Sequence, residues 1–545
     1  MRRKLIAGSL AAMTLLSVPV YASGAEGGES KYQTTYGSKQ FDGVTISVEL
    51  FDRSNAPEGS TILENRWTKY AQDAMAEVGI NLEFVAVPRG DEVSKMQTMV
   101  GSGTAPTITL TYTYTYARDY YKDGGIWDLS EFVDGEDQAQ NLKKYVGDSC
   151  LELGRNSDGS LIGIVARRAT TANSNIFIRK DWLDDLGLEV PTTTDELEQV
   201  LIQFRDHADD LKQEFSIEGD VIPMSFIINN GDQDPSILIN GFGDGYGDTG
   251  DHFAVTDEGK VIYTTVQEGY KEGIKWLHKL VTENLIDPEA FTQEWSTYVA
   301  KGKNHRYGLC FTWDIANIDN NTDYVMLPAL TGPDGMRNIT RQNNSETSGF
   351  DRGRCVLTTS CRNTALAAAW IDQMYAPLQS PQNNWGTYGE KDSFNIFELS
   401  VNKDGEKMLK HMDLGDQSPV EVREAQSVNG PLAILNEYYD VYVTQPEDAK
   451  WRLDNMHETY LQDMNSKYVY PNVFMSIDDT NKVSQYDTDI KKYAEQKKAD
   501  WILNGGIDEE WDSYLKKMEK YGLSDYLSIK QKYFDQYQDS LSSEK

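Results

Sequence analysis

The chain of 545 residues carries 86 acidic and 52 basic side chains, which gives a formal net charge of −34. That charge repels phosphate backbones and anionic lipid headgroups, so it argues against nucleic acid and membrane surfaces as partners. The length predicts three to four domain-sized units, or fewer larger ones, each able to bury a hydrophobic core.

The first 22 residues have the pattern of a secretory signal peptide. Arg2, Arg3 and Lys4 precede the apolar stretch LIAGSLAAMTLLSVPV, and the small-residue segment VYA ends at Ala22, where we expect cleavage. Residues 23–40 are small and polar, which predicts a flexible tether. No later run of 18 apolar residues suggests a membrane span. The chain is therefore predicted to be exported.

The predicted elements that follow alternate between strands and helices, at 44–50, 66–79, 80–87, 92–103 and 105–114. This order favours a mainly parallel sheet flanked by helices. Ligands of such sheets bind beyond the carboxyl ends of the strands, which makes Tyr112 and Tyr114 candidate ligand contacts. The alternative, that these tyrosines pack against a helix, stays open.

The four cysteines are Cys150, Cys310, Cys355 and Cys361. An exported chain can pair four cysteines in three ways, and only Cys355 and Cys361 are close in sequence. Four buried thiols are the alternative. Because no pair has CxxC spacing, we expect neither a zinc site nor a redox site.

The stretch from Arg179 to Leu201 contains clear signals for the ends of two helices. Lys180–Leu186 is predicted to be a short helix that ends at Gly187, and Pro191 breaks the chain. Thr193 then has the position of an N-cap, with Glu196 completing a capping box for the next helix. Nothing in this stretch is catalytic, so we interpret it as a device that positions a lobe.

The glycine-rich run from Asn240 to Asp251 contains GYGDTG, a match to GxGxxG. The dinucleotide fingerprint needs a following helix, whereas HFAVTDEGKVIYT predicts a hairpin. We therefore expect a mobile surface loop. Asp244, Asp248 and Asp251 could hold a metal ion, but the solvated acidic loop is the preferred interpretation.

Common catalytic motifs are missing from the sequence. We find no GxSxG, HExxH, phosphate-binding loop or EF-hand loop, and the six histidines form no close pair. A pair of carboxylates of the kind that glycosidases use is not excluded by composition.

Several blocks resemble those of a known family, the extracellular solute-binding proteins of bacterial ABC sugar importers, in the long subgroup that includes alginate-oligosaccharide binders. The most specific block is FIRKDWLDDLGLEVPTTTDEL. Others are MQTMVGSGTAPTI, GGIWDLSEFVD, GSLIGI, EGIKWLHKLVTENLIDPEAFT and WDSYLKKMEKYGLSDYLSIKQKYFDQY. Together they span most of the chain between Val44 and Tyr537.

The resemblance implies an α/β fold of the two-lobed periplasmic-binding-protein type II, with discontinuous lobes joined by hinge crossovers. Lobe 1 is expected at 41–165 plus 328–395, and lobe 2 at 166–327 plus 396–545. The lobes would close on a ligand in the cleft between them, and the importer would recognise the closed, liganded form.

The implied function is capture of an oligosaccharide outside the cytoplasm and its delivery to the permease of an ABC importer, without any chemistry or cofactor. The acidic charge favours a neutral sugar, and we expect a monomer. Alternatives are a secreted carbohydrate-active enzyme, either a glycoside hydrolase or a lyase, and a peptide-binding surface protein. The lipobox cysteine usual in Gram-positive relatives is missing, which favours a soluble secreted or periplasmic form.

The resemblance also suggests ligand-binding residues. In CFTWDIAN, Trp313 would stack on a sugar ring and Asp314 would bind hydroxyl groups, although Trp313 could instead belong to the core. Arg167 and Arg168, after the first crossover, would overlook the cleft or form surface salt bridges.

Further candidates come from loop context. Trp385 and Tyr388 lie in NNWGTYGE, Trp295 in QEWSTY, and Phe350 with Asp351 in SGFDRG. If three of these rings stack on the ligand, the ligand is longer than a monosaccharide.

One segment departs from the family pattern. The alginate-binding relatives carry a calcium loop after the capping-box helix, whereas residues 207–226 read HADDLKQEFSIEGDVIPMSF here. The VIP turn survives, but the DxNxNG ladder of oxygen ligands does not. We therefore predict no calcium in this segment and no metal ion elsewhere.

Overall fold

The computed structural model describes residues 44–543 apart from short gaps, at 53–62, 64–65, 77–78, 89–91, 110–123, 137, 153, 157, 169–174, 320, 340–349, 389–394, 415–421, 424–425, 428–432, 461–462, 464–468, 472 and 474. The predicted signal peptide, the predicted tether, Tyr112 and Tyr114 therefore lie outside the described residues.

The strands, numbered in chain order, are β1 Val44–Asp52, β2 Ile80–Pro88, β3 Ile108–Thr109, β4 Ile164–Arg168, β5 Asn175–Arg179, β6 Ile222–Met224, β7 Phe253–Val255, β8 Val261–Tyr263, β9 Tyr307–Thr312, β10 Tyr324–Met326, β11 Phe350–Leu357, β12 Phe397–Val401, β13 Lys407–His411 and β14 Ala433–Ile434.

The α-helices are α1 Arg66–Ala76, α2 Glu92–Ser102, α3 Ser130–Asp134, α4 Asp148–Glu152, α5 Lys180–Asp185, α6 Thr194–Asp206, α7 Ala208–Glu214, α8 Glu268–Thr282, α9 Trp295–Lys303, α10 Thr364–Met374, α11 Ser380–Trp385, α12 Glu447–Thr459, α13 Ile477–Asn504, α14 Ile507–Lys520 and α15 Leu523–Ser543. Within the described part of the chain, no helix is both long enough and apolar enough to cross a lipid bilayer.

The chain forms two compact units, each assembled from two separate segments. Unit 1 comprises residues 1–170 and 349–446, and unit 2 comprises residues 171–348 and 447–545. The two-unit division agrees with the expected discontinuous lobes, and the first boundary lies five residues after the expected one.

The second and third boundaries lie later than expected. Residues 328–348 belong to unit 2, where the backbone N–H of Thr331 donates to the carbonyl oxygen of Thr192 at 2.9 Å. Residues 396–446 belong to unit 1, because β14 pairs with β4 in the sheet of that unit. Strand pairing of this kind, between segments far apart in sequence, leaves no local signal.

Unit 1 is built on a six-stranded sheet with the strand order β14-β4-β11-β3-β1-β2. β1 pairs parallel to β2 and β3, as the β-α-β-α-β pattern predicts. β11 enters antiparallel between β3 and β4. The core between the sheet and its helices contains the fully buried rings of Trp67 and Tyr375.

Unit 2 is built on a four-stranded sheet with the strand order β10-β5-β9-β6. The central strand β9 is buried along its whole length, as expected of a strand covered on both faces. Trp182 of α5 and Trp501 of α13 are buried in the same core, so the C-terminal helices are part of this unit rather than an appendage.

The predicted capping box is confirmed. Thr193 Oγ1 accepts from the backbone N–H of Glu196 at 3.1 Å, and Glu196 Oε2 accepts from the N–H of Thr193 at 3.2 Å. Leu197, Leu201 and Phe204 of the same helix are fully buried. The stretch from Arg179 to Leu201 thus fixes where α6 starts and which face it buries.

All four cysteines are free thiols buried in the structure. The alternative of a Cys355–Cys361 disulfide is therefore not realised. Burial raises the pKa of the Cys150 thiol to about 11 and that of Cys361 to about 12, so both remain protonated at neutral pH.

Candidate functional site

Trp313 follows directly after β9, where the strand ends and the chain turns. The side-chain amide of Asn175, on the neighbouring strand β5, donates to the carbonyl oxygen of Trp313 at 2.8 Å. Asn175 is paired across the sheet with Thr312, so the bond lies in register with the strand pair. The backbone of Trp313 is therefore fixed, and its side chain is half-buried.

Arg452, on α12, covers the ring of Trp313. The centre of its guanidinium group lies 4.5 Å from the ring centroid, within the range of a cation–π contact. Arg452 Nε lies 3.2 Å from Asp314 Oδ2, and the two side chains are 7% and 9% exposed. The guanidinium is thus held by a carboxylate on one side and an indole on the other.

Asp314 has a second role at the start of a short 3₁₀ turn, Ile315–Asn317. Its Oδ1 accepts from the backbone N–H of Ala316 at 3.0 Å. One carboxylate therefore caps the turn and orients Arg452. Trp313, Asp314 and Arg452 form a pre-organised cluster, which is named below the Trp313 cluster.

The Trp313 cluster combines a flat apolar ring with hydrogen-bonding groups at its edge. Sugar rings present apolar C–H faces and polar rims, so sites for sugars use rings for stacking and charged groups for the hydroxyls. A guanidinium paired with a carboxylate also loses less side-chain entropy on ligand binding than a free one does. The cluster therefore has the chemistry of a stacking platform.

Arg167 is placed in unit 1 and has a structural partner. Its Nη1 donates to the carbonyl oxygen of Val146 at 2.6 Å, at the end of the π-helical turn Leu142–Val146. Its side chain is half-buried. The structure thus ties Arg167 to a helix end, and it places Arg168 on β4 without describing the Arg168 side chain.

Trp385 and Tyr388 are placed in a small hydrophobic core of unit 1. They are 8% and 4% exposed, and the Trp385 ring packs edge-to-face on Phe397 and His411 with centroid distances of 6.3 and 5.1 Å. The backbone of Tyr388 forms an isolated parallel β-bridge with that of Phe397. Rings in this environment have their faces occupied by neighbouring side chains, which is the environment of core residues rather than of a stacking surface.

The remaining candidates have varied positions. Trp295 begins α9, is half-buried, and packs on Tyr298 with a centroid distance of 6.0 Å. Phe350 begins β11. The side chains of Phe350 and Asp351 lie outside the described part of the structure. Among the described candidates, Trp313 and Asp314 share Arg452 as a partner. Trp385 and Tyr388 share Phe397, and Phe350 pairs with Arg167 between β11 and β4.

Asp372 has the raised pKa that is typical of a general acid, but it is committed to the fold. Burial raises its pKa to about 6. Its carboxylate accepts from the amide group of Asn141 at 2.9 Å and from the backbone N–H of Leu142 at 3.0 Å. The carboxylate is buried and its oxygens are bonded within unit 1, so the raised pKa is explained by its structural environment.

The segment that replaces the family's calcium loop does not fit a calcium ion. It folds as α7, Ala208–Glu214, followed by the short strand β6. Across the described residues, no group of three or more His, Cys, Asp or Glu side chains is placed to hold a metal ion. Calcium requires six to eight oxygen ligands, which this segment does not gather.

Sequence reasoning missed Arg452 and Asn175. Arg452 lies on a helix distant in sequence from Trp313, and nothing in its local pattern, AKWRLDNM, distinguishes it from a surface arginine. Asn175 begins a buried strand and has no exposed surface. A polar side chain at the start of an otherwise apolar strand was a usable signal in the sequence. A buried amide needs a hydrogen-bond partner, so Asn175 could have been predicted to bind a neighbouring strand.

Comparisons with known proteins identify the family. Residues 59–345 match the model of the bacterial extracellular solute-binding protein family, which is more than half of the chain. The fructooligosaccharide ABC transporter substrate-binding protein FusA of Streptococcus pneumoniae is 46% identical over 369 residues, which cover 68% of this chain and 66% of FusA. The alignment thus spans slightly less than two thirds of that relative.

Solved structures agree over nearly the whole chain. A structure of S. pneumoniae FusA, an EF-hand mutant in complex with fructo-nystose, has a TM-score of 0.82 at 38% identity and covers 91% of this chain and 100% of that one. The alginate-binding protein AlgQ2 without calcium ion has a TM-score of 0.69 at 18% identity and covers 91% and 98%, which shows the fold alone.

These likenesses confirm the predicted α/β fold of the two-lobed, type II periplasmic-binding-protein kind. They also confirm the resemblance to extracellular solute-binding proteins drawn from the sequence blocks. The chain belongs to the bacterial extracellular solute-binding proteins.

Proposed function

We propose that this protein captures an oligosaccharide outside the cytoplasm and delivers it to the permease of an ABC importer, without altering it. The observation that carries the proposal is the Trp313 cluster, a ring held by Arg452 and Asp314 in a chain of this family. Two-lobed binding proteins signal occupancy by hinge closure, because the ligand binds the closed state more tightly.

A fructose-containing oligosaccharide is the first candidate ligand. The name of FusA gives fructooligosaccharide as what that relative binds, and the FusA structure contains fructo-nystose. Such sugars are neutral, which agrees with the net charge of −34. An acidic oligosaccharide would have to overcome the repulsion of that charge.

The proposed contacts are those of the Trp313 cluster. Trp313 would stack on one sugar ring, Asp314 would accept from its hydroxyl groups, and Arg452 would keep both in place. Trp295 and Arg167 are secondary proposals, because both are half-buried and already have structural neighbours.

Binding without chemistry is supported by the environment of Asp372, whose raised pKa belongs to a group sealed in the core of unit 1. The relatives are substrate-binding proteins. We further propose an exported, monomeric protein, because the first 22 residues have the pattern of a signal peptide.

The test is thermal unfolding of residues 23–545 with a panel of oligosaccharides. The panel contains kestose and nystose, neutral glucans, and oligosaccharides of uronic acids. A ligand at 100 times its Kd stabilises the folded state by about 2.7 kcal/mol. We expect a shift for a neutral class, with the sugar recovered intact by mass spectrometry.

Trp313→Ala tests the site. We expect its affinity for the shifting sugar to fall at least thirtyfold, about 2 kcal/mol, while Trp313→Phe retains most of the stacking and loses less than tenfold. Unchanged affinity in Trp313→Ala contradicts the site. Cleaved sugar would contradict the function, and a panel without any shift would overturn the glycan assignment.

A further inference from the structure

Aromatic side chains of α13 and α14 in unit 2 form a continuous row of ring contacts. The ring centroids of Trp501 and Trp511 lie 4.9 and 5.6 Å from that of Tyr514. Tyr514 in turn stacks on Tyr493 at a centroid distance of 5.5 Å, with 28° between the ring planes. These are the distances of direct aromatic contact. The row Trp501, Trp511, Tyr514 and Tyr493 is called the Trp–Tyr chain below.

The Trp–Tyr chain leads from the core of unit 2 to its surface. Trp501 and Tyr514 are each 1% exposed, and Trp511 is 5% exposed. Tyr493, at the other end, is half-buried. Its hydroxyl has no hydrogen-bond partner among the described residues and is not sealed from solvent. A proton that leaves this hydroxyl can therefore pass directly to water.

Each indole of the chain has a proton acceptor at its N–H. Trp501 Nε1 donates to Glu510 Oε2 at 2.8 Å. Trp511 Nε1 donates to Glu268 Oε1 at 3.1 Å. An indole that loses one electron becomes a radical cation with a strongly acidic N–H, and a carboxylate at hydrogen-bond distance accepts that proton. These contacts therefore ease the one-electron oxidation of both indoles.

Tyr514 lies between the indoles and Tyr493 but is poorly suited to hold a radical. Its hydroxyl pairs with the hydroxyl of Thr265 at 2.8 Å, and burial raises the pKa of this phenol. A tyrosyl radical forms only when the phenol gives up its proton, and a threonine hydroxyl is a weak acceptor for it. Tyr514 thus supplies a bridging ring through which an electron passes.

The charges near the rings favour Tyr493 as the end of the chain. Ammonium groups lie 5.7 Å from the centroids of both indoles. Tyr521, which contacts Tyr493 at 5.7 Å, has Lys517 Nζ 4.6 Å from its own centroid. A cation over a ring opposes the removal of an electron from that ring. Among the described residues, no lysine or arginine lies over the ring of Tyr493, so the loss of an electron is least opposed there.

We propose that the Trp–Tyr chain is a one-electron relay, which moves oxidation from the buried indoles to Tyr493 at the surface. A one-electron oxidant such as the carbonate radical takes an electron from an indole and is itself reduced, and the indole proton shifts to its carboxylate. An electron from Tyr493 then passes through the ring of Tyr514 to the indole, which regains its proton. The phenol proton of Tyr493 leaves to water.

The relay needs no contact between the oxidant and a buried ring, because electrons tunnel through short distances of protein. The radical that remains is a tyrosyl radical on Tyr493, so one electron has left the protein and every indole is restored. The relay uses no residue of the Trp313 cluster and does not depend on the proposed function.

The test exposes residues 23–545 to azidyl radicals, which remove single electrons from indoles, and maps the oxidised side chains by peptide mass spectrometry. The wild type is compared with Tyr493→Phe and Tyr486→Phe. Tyr486 lies on the same helix, is half-buried, and stacks on Tyr526 outside the Trp–Tyr chain. Phenylalanine keeps the ring and removes only a hydroxyl that has no hydrogen-bond partner among the described residues, so both variants retain the fold.

We expect Trp501 and Trp511 to carry severalfold more oxidation product in Tyr493→Phe than in the wild type, and Tyr486→Phe to match the wild type. Trp182, a fully buried indole of the same unit that packs on Phe204, is the internal reference and should be equal in all three proteins. Equal products in the wild type and Tyr493→Phe overturn the relay. Equal increases in both variants, or an increase at Trp182 as well, also overturn it.

Time-resolved absorption after a pulse of azidyl radicals tests the electron transfer directly. In the wild type, part of the tryptophan-radical absorption should decay as tyrosyl-radical absorption grows. We expect this component to be lost in Tyr493→Phe and kept in Tyr486→Phe. The same conversion in all three proteins would contradict the relay, because other tyrosines would then supply the electron.

Discussion

From the sequence, Trp385 of unit 1 and Trp313 of unit 2 are both candidates for stacking on a ligand. Their surroundings in the structure differ. Trp385 is 8% exposed and packs on Phe397 and His411. Trp313 is half-buried, and its ring is covered by Arg452, which is itself held by Asp314. The first tryptophan packs on a phenylalanine and a histidine in a small hydrophobic core, and the second lies under a guanidinium group.

The difference separates two uses of the same side chain. An apolar environment on both faces gives a tryptophan its full burial energy and makes it part of the core. A charged partner on one face costs desolvation that a core would avoid. This contrast is the reason why we propose the Trp313 cluster, rather than Trp385, as a sugar contact.

The largest expected effect tests the core side of this comparison. Trp385→Ala removes a buried indole and leaves a cavity, so we expect the free energy of unfolding of unit 1 to fall by about 3–5 kcal/mol. Urea unfolding followed by circular dichroism measures it. If Trp385→Ala keeps its stability but loses sugar binding, Trp385 is a ligand contact, as proposed for Trp313, and its assignment to the core is wrong.

The second prediction concerns pH and the core of unit 1. The pKa of Asp372 is raised from 3.8 to about 6, so the folded state holds this proton more tightly than the unfolded state does. Its contribution to stability is therefore complete below pH 3.8 and is lost as the pH rises through 6. The difference corresponds to about 3 kcal/mol.

Asp372→Asn isolates this contribution. Between pH 4 and pH 7, the stability of the wild type should fall by about 2 kcal/mol relative to that of the variant, as measured by urea unfolding at several pH values. Asp404→Asn, which changes an exposed acid of the same unit, should show no such trend. An identical pH profile for Asp372→Asn and the wild type would contradict the prediction.

Arg452→Met tests the charged side of the comparison. It removes the cation from the face of Trp313 and leaves Asp314 without its guanidinium. We expect sugar affinity to fall about tenfold, or about 1.4 kcal/mol, because the ring is less well oriented. Calorimetry with the sugar identified in the panel measures it.

Lys450→Met is the matched control for Arg452→Met. Lys450 lies on the same helix, is half-exposed, and pairs with Asp454. Its loss should leave affinity unchanged. Equal affinity losses in the two variants would mean that net charge, rather than the orientation of Trp313, controls binding.

The smallest expected effect lies outside both tryptophan sites. Thr193→Ala removes the N-cap of α6 and should lower the free energy of unfolding by about 1 kcal/mol. Gln199→Ala, on the exposed face of the same helix, should change it by less than about 0.5 kcal/mol. Sugar affinity should stay the same in both, and a loss in Thr193→Ala would link this helix to the site.

Local signals in the sequence predicted the fold well. The capping box at Thr193 and Glu196, the parallel start of the unit 1 sheet and the hairpin Phe253–Tyr263 all occur as expected. Each depends on residues close in sequence. The later unit boundaries depend on β14 reaching β4, and pairing over that distance leaves no periodicity to read.

The candidate site was predictable only in part. A strand followed by Trp313 and Asp314 is visible in the sequence, whereas Arg452 comes from another segment of unit 2 and gives no local sign of its role. Asp248 shows the opposite failure: glycines and acids suggested exposure, but His252 and Thr264 supply the donors that allow the carboxylate to be buried.

The division of each unit into two separated segments has a consequence for the order of folding. In unit 2, the backbone N–H of Ile176 in the first segment donates to the hydroxyl of Tyr460 in the second segment at 2.9 Å. In unit 1, β4 of the first segment pairs with β14 of the second. Neither core is complete when its first segment leaves the ribosome. Non-local pairing of this kind delays folding, so each unit can complete its core only after its second segment has been synthesised.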